Sequence, residues 1–274
     1  MISKFIFKHR YLLLRRAVQI SIIFLYIAGN IYGWNILKGN LSMGKLFEVI
    51  PLADPYAVLQ MIFAGALLLW DVLIGAVIVF IFYALFSGRA FCSWVCPVNI
   101  VTDTANWIRK KFKLDKDEWQ LRFSRKVRYW ILGLSLVMSL IMAVPVFEFV
   151  SPISMLHRGL IYGMGFGWAA VLTVFLFDLF VTKNGWCGHL CPLGAFYSLT
   201  TSKSVLRVYH IQPHCTLCMN CKNICPEKQV LSIIGKESGY INFGECINCG
   251  RCIEVCNDDA LKFSLRYIKK EKEG

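Results

Sequence analysis

Four long apolar segments constrain the fold of this chain more than any other feature of its sequence. Crossing the hydrocarbon core of a bilayer takes about 20 helical residues. Four such segments in 274 residues argue against the buried helices of a soluble domain, and a 57% share of hydrophobic residues against 17% charged residues agrees. We predict transmembrane helices at Ala17–Leu37, Leu67–Phe86, Tyr129–Val150 and Phe166–Val181.

Basic residues are distributed unevenly between these helices. Ten lie between the second and the third: Arg89, Arg109, Lys110, Lys111, Lys113, Lys116, Arg122, Arg125, Lys126 and Arg128. The loop after the first helix holds only Lys38 and Lys45, and the loop after the third only Arg158. The positive-inside rule then places both termini and the middle segment in the cytoplasm. The net charge of +13 is assigned to this topology and to the anionic inner leaflet, not to nucleic acid.

The chain also repeats a phrase with two cysteines. FCSWVCPVN at 91–99 and WCGHLCPLG at 186–194 each contain C-x3-C-P, and each follows an apolar segment. Each half further contains a proline-initiated apolar segment, at 54–65 and 151–163, that is too short to span a bilayer. These features predict two parallel repeats with both cysteine phrases on the cytoplasmic side. The proline-initiated segments are expected on the far side, at the interface or shallowly re-entrant.

The last quarter of the chain contains two runs of cysteines with the spacing C-x2-C-x2-C-x3-C. This spacing is typical of proteins with two [4Fe–4S] clusters, in which the fourth cysteine of each run ligates the other cluster. Structural zinc is the alternative, and two complete runs argue against it. We predict one cluster at Cys215, Cys218, Cys221 and Cys256, and the other at Cys246, Cys249, Cys252 and Cys225.

The four cysteines of the repeated phrases need a separate interpretation. On a helix, Cys92 and Cys96 share one face at i, i+4, and so do Cys187 and Cys191. If the duplication brings the pairs together, four thiolates meet at the cytoplasmic membrane surface. They then form a ligand set for a further iron–sulfur or metal centre, or two redox-active dithiols. The alternative is that they are small buried residues ending two helices before the prolines.

Several phrases together resemble the NapH family of membrane ferredoxin-type subunits. They are PLADP, FCSWVCP, FDLFVTKNGWCGHLCPLGA and the two-cluster tail, and the resemblance covers nearly the whole chain. NosR-type proteins and CcoG-type assembly factors share the paired phrases but carry further large domains. The resemblance implies quinol oxidation in the bacterial inner membrane, with electrons passing to the periplasmic ferredoxin NapG and then to the periplasmic nitrate reductase. Haem is implied only for a partner, a membrane-anchored multihaem cytochrome.

Quinol oxidation requires an apolar slot and acceptors for two protons. We place this site at the periplasmic side, where Asp54 and His157 accompany the proline-initiated segments. The alternatives are that Asp54 is a solvated loop charge and that His157 is an interfacial hydrogen-bonding residue.

The predicted fold is a membrane all-α domain of four transmembrane helices in two parallel two-span repeats, followed by a small α+β two-cluster ferredoxin domain. The expected function is the electron-transfer subunit of a quinol dehydrogenase, not a stand-alone enzyme. A reductase or maturation factor for metalloenzyme assembly and a membrane anchor for a partner ferredoxin are the alternatives. The predicted boundaries are a basic N-terminus at 1–16, a membrane domain at 17–200 with repeats at about 17–112 and 127–200, a ferredoxin-like domain at 206–264 and a charged tail at 265–274.

Overall fold

The computed structural model describes residues 9–112, 124–200 and 204–266. These residues divide into two compact units. The first unit contains residues 9–18, 82–95 and the described residues from 197 to 266, and the second contains 19–81 and the described residues from 96 to 196. The first cysteine phrase is thus split, with Cys92 in the unit of the tail and Cys96 in the other. The predicted domain boundaries remain a prediction.

Twelve α-helices occur in the described part of the chain. They are α1 (Arg10–Ile31), α2 (Pro55–Phe63), α3 (Trp70–Phe82), α4 (Phe91–Trp94), α5 (Val98–Lys111), α6 (Val127–Met142), α7 (Val146–Val150), α8 (Pro152–Tyr162), α9 (Gly167–Leu176), α10 (Pro192–Thr200), α11 (Asn220–Ile224) and α12 (Arg251–Glu254). Wider π-helical turns cover Tyr83–Ser87, Phe177–Val181 and Trp186–Leu190, and 3-10 turns cover Gly88–Ala90, Gln212–His214 and Lys228–Leu231.

The two halves of the chain share local structure as well as sequence. Helices α2 and α8 both begin at a proline, whose fixed φ suits the first helical position. The residues before them have nearly the same backbone angles, φ −69° and ψ 118° at Asp54 against φ −69° and ψ 116° at Ser151. Helices α3 and α9 each run directly into a π-helical turn. The proline-initiated helices predicted from the sequence are therefore present in both halves.

A small sheet follows the first helix and was not predicted. Its antiparallel strands are β1 (Leu37–Gly39), β2 (Met43–Leu46) and β3 (Ile50–Ala53), in the order β1-β2-β3. The predicted first span, Ala17–Leu37, ends too late, because α1 stops at Ile31 and Gly33 adopts a positive φ of 73°.

Only part of the predicted membrane architecture is visible in helix length and composition. Within the described ranges, α1 alone is long and apolar enough to cross a bilayer. The segments Trp70–Phe86 and Gly88–Trp94 pass the same test together, although they are bent by 114°. Val127–Met142 and Gly167–Val181 are shorter apolar helical segments. The predicted third span is interrupted after Met142, because Ala143 is left-handed and Pro145 follows it.

Three of the ten basic residues between the second and third predicted spans have a role that the sequence did not reveal. Arg89, Arg109 and Arg128 are buried. Arg109 donates to the Asp178 carbonyl at 3.0 Å, and Arg128 donates to the Gly188 carbonyl at 3.3 Å. These three side chains thus satisfy buried acceptors inside the protein, while the assignment of the net charge to membrane topology stays a prediction.

The tail forms a small α+β structure around an apolar core. Its sheet has the order β5-β4-β6, in which β4 (Leu206–His210) pairs antiparallel with both β5 (Gly239–Tyr240) and β6 (Leu261–Leu265). Buried side chains such as Val208 and Leu231 form the core, and several cysteines pack against it. Helices α11 and α12 each follow a C-x2-C loop, as expected for a ferredoxin-like domain.

Candidate iron–sulfur centres

The two cysteine runs of the tail have the same backbone conformation. Leu217 and Met219 in the first run have φ of 60° and 58°, and Asn248 and Gly250 in the second have φ of 47° and 74°. Three of these four are not glycine, and such residues rarely adopt positive φ. Left-handed residues turn the chain sharply, which short C-x2-C loops require if their thiols are to surround one centre.

The thiols of the tail act on one another electrostatically. Burial raises the pKa of the Cys221 thiol, and three other thiols add to the rise: Cys256, Cys215 and Cys218. Burial also raises the pKa of the Cys252 thiol well above its usual value, with additions from Cys249, Cys246, Cys225 and Cys221. Cys221 and Cys252 thus each have electrostatic neighbours in both runs, and Cys221 is itself one of the neighbours of Cys252.

One predicted ligand set lines a cavity. Cys225, Cys246, Cys249 and Cys252 face it together with apolar side chains such as Val208 and Leu231. Four sulfur donors in an apolar enclosure suit a [4Fe–4S] cluster, which is held by thiolates and whose positive iron offsets the cost of burying them. The residues therefore fit the predicted group, while the ligand assignment itself stays a prediction.

The repeated C-x3-C-P phrases do not have the predicted helical geometry. Helix α4 contains Cys92 and ends at Trp94, before Cys96. A π-helical turn contains Cys187, and Cys191 follows it in an extended conformation with φ −66° and ψ 112°. The expectation that each pair shares one helix face is wrong, because a residue that precedes proline is pushed out of the α region.

Buried polar side chains hold the main chain around these phrases. Cys96 and Cys191 are buried, whereas Cys92 and Cys187 are partly exposed. The second compact unit contains three such hydrogen bonds: from Gln19 Nε2 to the Cys96 carbonyl (3.1 Å), from Arg128 Nη1 to the Gly188 carbonyl (3.3 Å) and from the Trp186 amide to Asp178 Oδ1 (2.9 Å). Across residues 9–112, 124–200 and 204–266, no three His, Cys, Asp or Glu side chains are grouped to hold a single metal ion. A further centre at these phrases remains a prediction.

Asp54 is the residue that precedes helix α2 and caps it. Its carboxylate accepts a hydrogen bond from the Tyr56 amide at 3.2 Å. Burial raises the pKa of Asp54 to about 7, the Tyr56 amide opposes this shift and the charge of Glu148 adds to it. Asp54 is thus half-buried and bonded to the main chain, and its role in proton transfer stays a prediction. A carboxyl group with this pKa exchanges a proton near neutral pH.

His157 is buried on helix α8. Its ring packs edge-to-face on Tyr26, with centroids 4.8 Å apart. Burial lowers the pKa of His157 to about 4, and the charge of Arg158 adds to this shift. Neither ring nitrogen has a hydrogen-bond partner within the described residues. His157 is thus a neutral imidazole with unmet hydrogen-bonding capacity, and it does not hydrogen-bond to Asp54 in this part of the chain.

Comparison with known protein families matches both kinds of cysteine site. A family described as a 4Fe-4S dicluster domain matches residues 207–257 of the tail. A second family, described as a 4Fe-4S binding domain, matches residues 68–115 and again 160–207. The second family thus occurs once in each half of the chain, and each match contains one C-x3-C-P phrase.

Three relatives are similar over nearly their whole length. Ferredoxin-type protein NapH of Escherichia coli (strain K12) is 40% identical over 268 residues, which cover 96% of this chain and 92% of that protein. Ferredoxin-type protein NapH of Haemophilus influenzae is 42% identical, covering 95% of this chain and 92% of that protein. The chain belongs to the NapH family of ferredoxin-type proteins. No solved structure matches it.

The NapH family also includes proteins that are named for methylamine utilization. Methylamine utilization ferredoxin-type protein MauN of Methylorubrum extorquens is 41% identical to this chain, covering 94% of it and 90% of that protein. The family and its 4Fe-4S domains make this chain an iron–sulfur electron-transfer protein. The identities do not separate NapH from MauN.

The sequence did not indicate a role for one further residue of this NapH-family protein, Tyr56. Tyr56, on α2, has its ring 5.7 Å from that of Phe196, and its hydroxyl is hydrogen-bonded to Ser135 Oγ. Burial raises the pKa of Tyr56, and the Cys191 thiol adds to the rise. The start of α2 therefore lies close to the second cysteine phrase. The topology that places these segments on opposite faces of the membrane stays a prediction, and no pattern in the sequence indicated the contact between Tyr56 and Phe196.

Single replacements in the tail test the ligand sets of this NapH-family protein. We expect Cys218→Ala and Cys249→Ala each to lose about one cluster's iron, because each removes one ligand from a different set. Iron and sulfide analysis of anaerobically purified protein measures this loss. Full iron content in both variants would contradict the assignment.

Proposed function

We propose that this protein is a membrane-embedded electron-transfer subunit that accepts electrons from quinol. The observation that carries the proposal is the packing, within the second compact unit, of the helix that Asp54 caps against the segment that follows Cys191. Asp54 caps the helix on which Tyr56 lies, and the ring of Tyr56 is 5.7 Å from that of Phe196, five residues after Cys191. Quinol oxidation releases protons and electrons together, so it requires acceptors for both in one place.

Exposed apolar side chains support membrane embedding in four spans. Phe24 on α1, Ile74 on α3, Val137 on α6 and Leu172 on α9 are all exposed, as are many large apolar neighbours. In water such surfaces are disfavoured, whereas lipid covers them without penalty.

At about 1.5 Å per residue, the segment Gly167–Val181 is about 7 Å shorter than a 30 Å hydrocarbon core. Local thinning of the bilayer accommodates such a mismatch at modest cost. In this proposal both termini and the ferredoxin domain are cytoplasmic.

Each residue of the proposed quinol site has a role that follows from its chemistry. Asp54 takes a proton from the quinol hydroxyl when it is ionised, that is, above a pH of about 7. The rings of Tyr56 and Phe196, 5.7 Å apart, supply apolar surface for the quinol. An iron–sulfur group held by the repeated phrases would supply one-electron acceptance. His157 remains a candidate hydrogen-bond acceptor for the quinol, because both of its nitrogens are buried without a partner in the described residues.

The destination of the electrons is the second part of the proposal. Family resemblance favours NapG and the periplasmic nitrate reductase as acceptors, with a membrane-anchored multihaem cytochrome as a further partner. A role in methylamine utilization is the second candidate, since MauN proteins are as similar to this chain as NapH proteins are.

Anaerobic EPR of the purified protein tests the proposal. We expect a reduced quinol analogue to produce the spectrum of reduced iron–sulfur clusters, with dithionite as the control that defines full reduction. Iron counting on the same sample distinguishes two clusters from three. A spectrum that appears with dithionite but never with quinol would favour the maturation or anchor role instead.

A further inference from the structure

The first C-x3-C-P phrase is hydrogen-bonded to one cysteine loop of the tail. Within the first compact unit, side chains of residues 89–94 donate to three main-chain carbonyls of residues 245–248. The bonds run from Arg89 Nη1 to the Glu245 carbonyl (3.2 Å), from Ser93 Oγ to the Ile247 carbonyl (2.6 Å) and from Trp94 Nε1 to the Asn248 carbonyl (3.0 Å). These carbonyls flank Cys246 and immediately precede Cys249. The second run of cysteines is therefore fixed by the segment that contains Cys92.

The three donors occur in only one of the two repeats. The equivalent positions, 95 residues later in the chain, hold Asn184, Gly188 and His189. Gly188 has no side chain to donate, and Asn184 accepts a hydrogen bond from Asn106 instead. The donors in the first repeat are thus not a general requirement of the C-x3-C-P turn. Their common feature is the contact with the tail.

A buried ion pair lies beside the same loop. Arg89 Nη1 is 3.1 Å from Glu227 Oε1, with side chains only 1% and 4% exposed. Glu227 lines the cavity that Cys225, Cys246, Cys249 and Cys252 also line. Burial raises the pKa of the Cys246 thiol, and the charges of Arg207 and Arg89 oppose that rise. Arg89 and Glu227 therefore place opposite charges in a poorly solvated region next to one ligand set.

We propose that Arg89, Ser93 and Trp94 are positioning residues for the iron–sulfur group at Cys225, Cys246, Cys249 and Cys252, and that the Arg89–Glu227 pair sets its reduction potential. The proposal rests on the iron–sulfur part of the proposed function, not on quinol as the donor. Reduction adds one negative charge to the group. A buried cation stabilises the reduced form, and a buried carboxylate stabilises the oxidised form.

Two charge variants test the proposal with opposite expected signs. Glu227→Gln removes the negative charge beside this group, so its potential should rise. Arg89→Gln removes the positive charge beside this group, so its potential should fall. We expect about a tenfold change in the oxidised-to-reduced ratio in each case, which is about 59 mV for one electron. EPR-monitored titration with dithionite and redox mediators measures it. The group at Cys215, Cys218, Cys221 and Cys256 should shift less.

Neutral variants separate positioning from charge. Trp94→Phe and Ser93→Ala each remove one donor to the loop, and should change the EPR line shape of the same group while iron content stays at the wild-type value. Trp107→Phe is the matched control, because Trp107 is exposed on α5 and its indole stacks with Lys111 instead. Its spectrum should not change.

Removing one partner of a buried ion pair is destabilising. If Arg89→Gln loses iron for that reason, Trp94→Phe and Ser93→Ala still test the positioning role, and Glu227→Gln still tests the tuning role. Unchanged potentials or shifts of the same sign in both charge variants would overturn the tuning role. A wild-type line shape in Trp94→Phe and Ser93→Ala would overturn the positioning role. These titrations use redox mediators in place of quinol. A failure of quinol oxidation would therefore leave their outcome unchanged.

Discussion

Replacing Cys191 with Ser or Ala is expected to abolish quinol-linked reduction of the tail clusters. The same loss is expected for Cys92, Cys96 and Cys187. The reason is that the 4Fe-4S binding domain family covers both repeated phrases, and iron–sulfur ligation requires thiolates. A hydroxyl or a methyl group does not replace a thiolate as a ligand or as a redox group. The measurement is EPR of the tail clusters after addition of quinol.

The pair of substitutions at each cysteine distinguishes a chemical role from a packing role. Cys191 is 5% exposed. If it only fills space, Ala should preserve activity better than Ser, because Ala introduces no buried hydroxyl. If it is a ligand or a redox thiol, both variants should be inactive while iron at the eight tail cysteines and membrane insertion are retained. Activity in the Ala variants of all four cysteines would show that the packing role is correct.

Local spacing accounts for what the sequence predicted well. The eight tail cysteines are close in sequence, and their C-x2-C spacing predicted a two-cluster domain, which agrees with the match of a 4Fe-4S dicluster domain family to residues 207–257. The proline-initiated helices were also predictable, since proline fixes φ where a helix begins. In both cases the residues that determine the structure lie within a few positions of one another.

Long-range packing accounts for what the sequence did not predict. The contact between Tyr56 and Phe196 joins residues 140 positions apart, and no periodicity encodes it. The pairing of Arg89 with Glu227, 138 positions away, was likewise not indicated by the sequence. The sheet at 37–53 was missed because its strands have only three or four residues, too few for an alternating pattern to be recognised.

Replacing Asp54 with Asn is expected to slow quinol oxidation by roughly 10²-fold or more, the usual contribution of a general base. Asn retains the side-chain oxygen that accepts from the Tyr56 amide, so the cap of α2 is preserved. In the unmodified protein the rate should rise as pH increases through about 7, where Asp54 loses its proton. That rise should be absent in the Asn variant.

Two further measurements test whether Asp54 is the group that titrates near pH 7: a thermal melt of Asp54→Asn and the pH profile of His157→Gln. The pKa of Asp54 is raised from 3.8 to about 7 in the folded protein, so its ionisation costs stability progressively as pH rises through this range. Asp54→Asn avoids that cost, and a thermal melt at pH 8 should find it at least as stable as the unmodified protein. His157→Gln should keep the rise near pH 7, because His157 titrates near 4 and is already neutral there. A profile that keeps its rise in Asp54→Asn and loses it in His157→Gln would assign the proton to His157 instead.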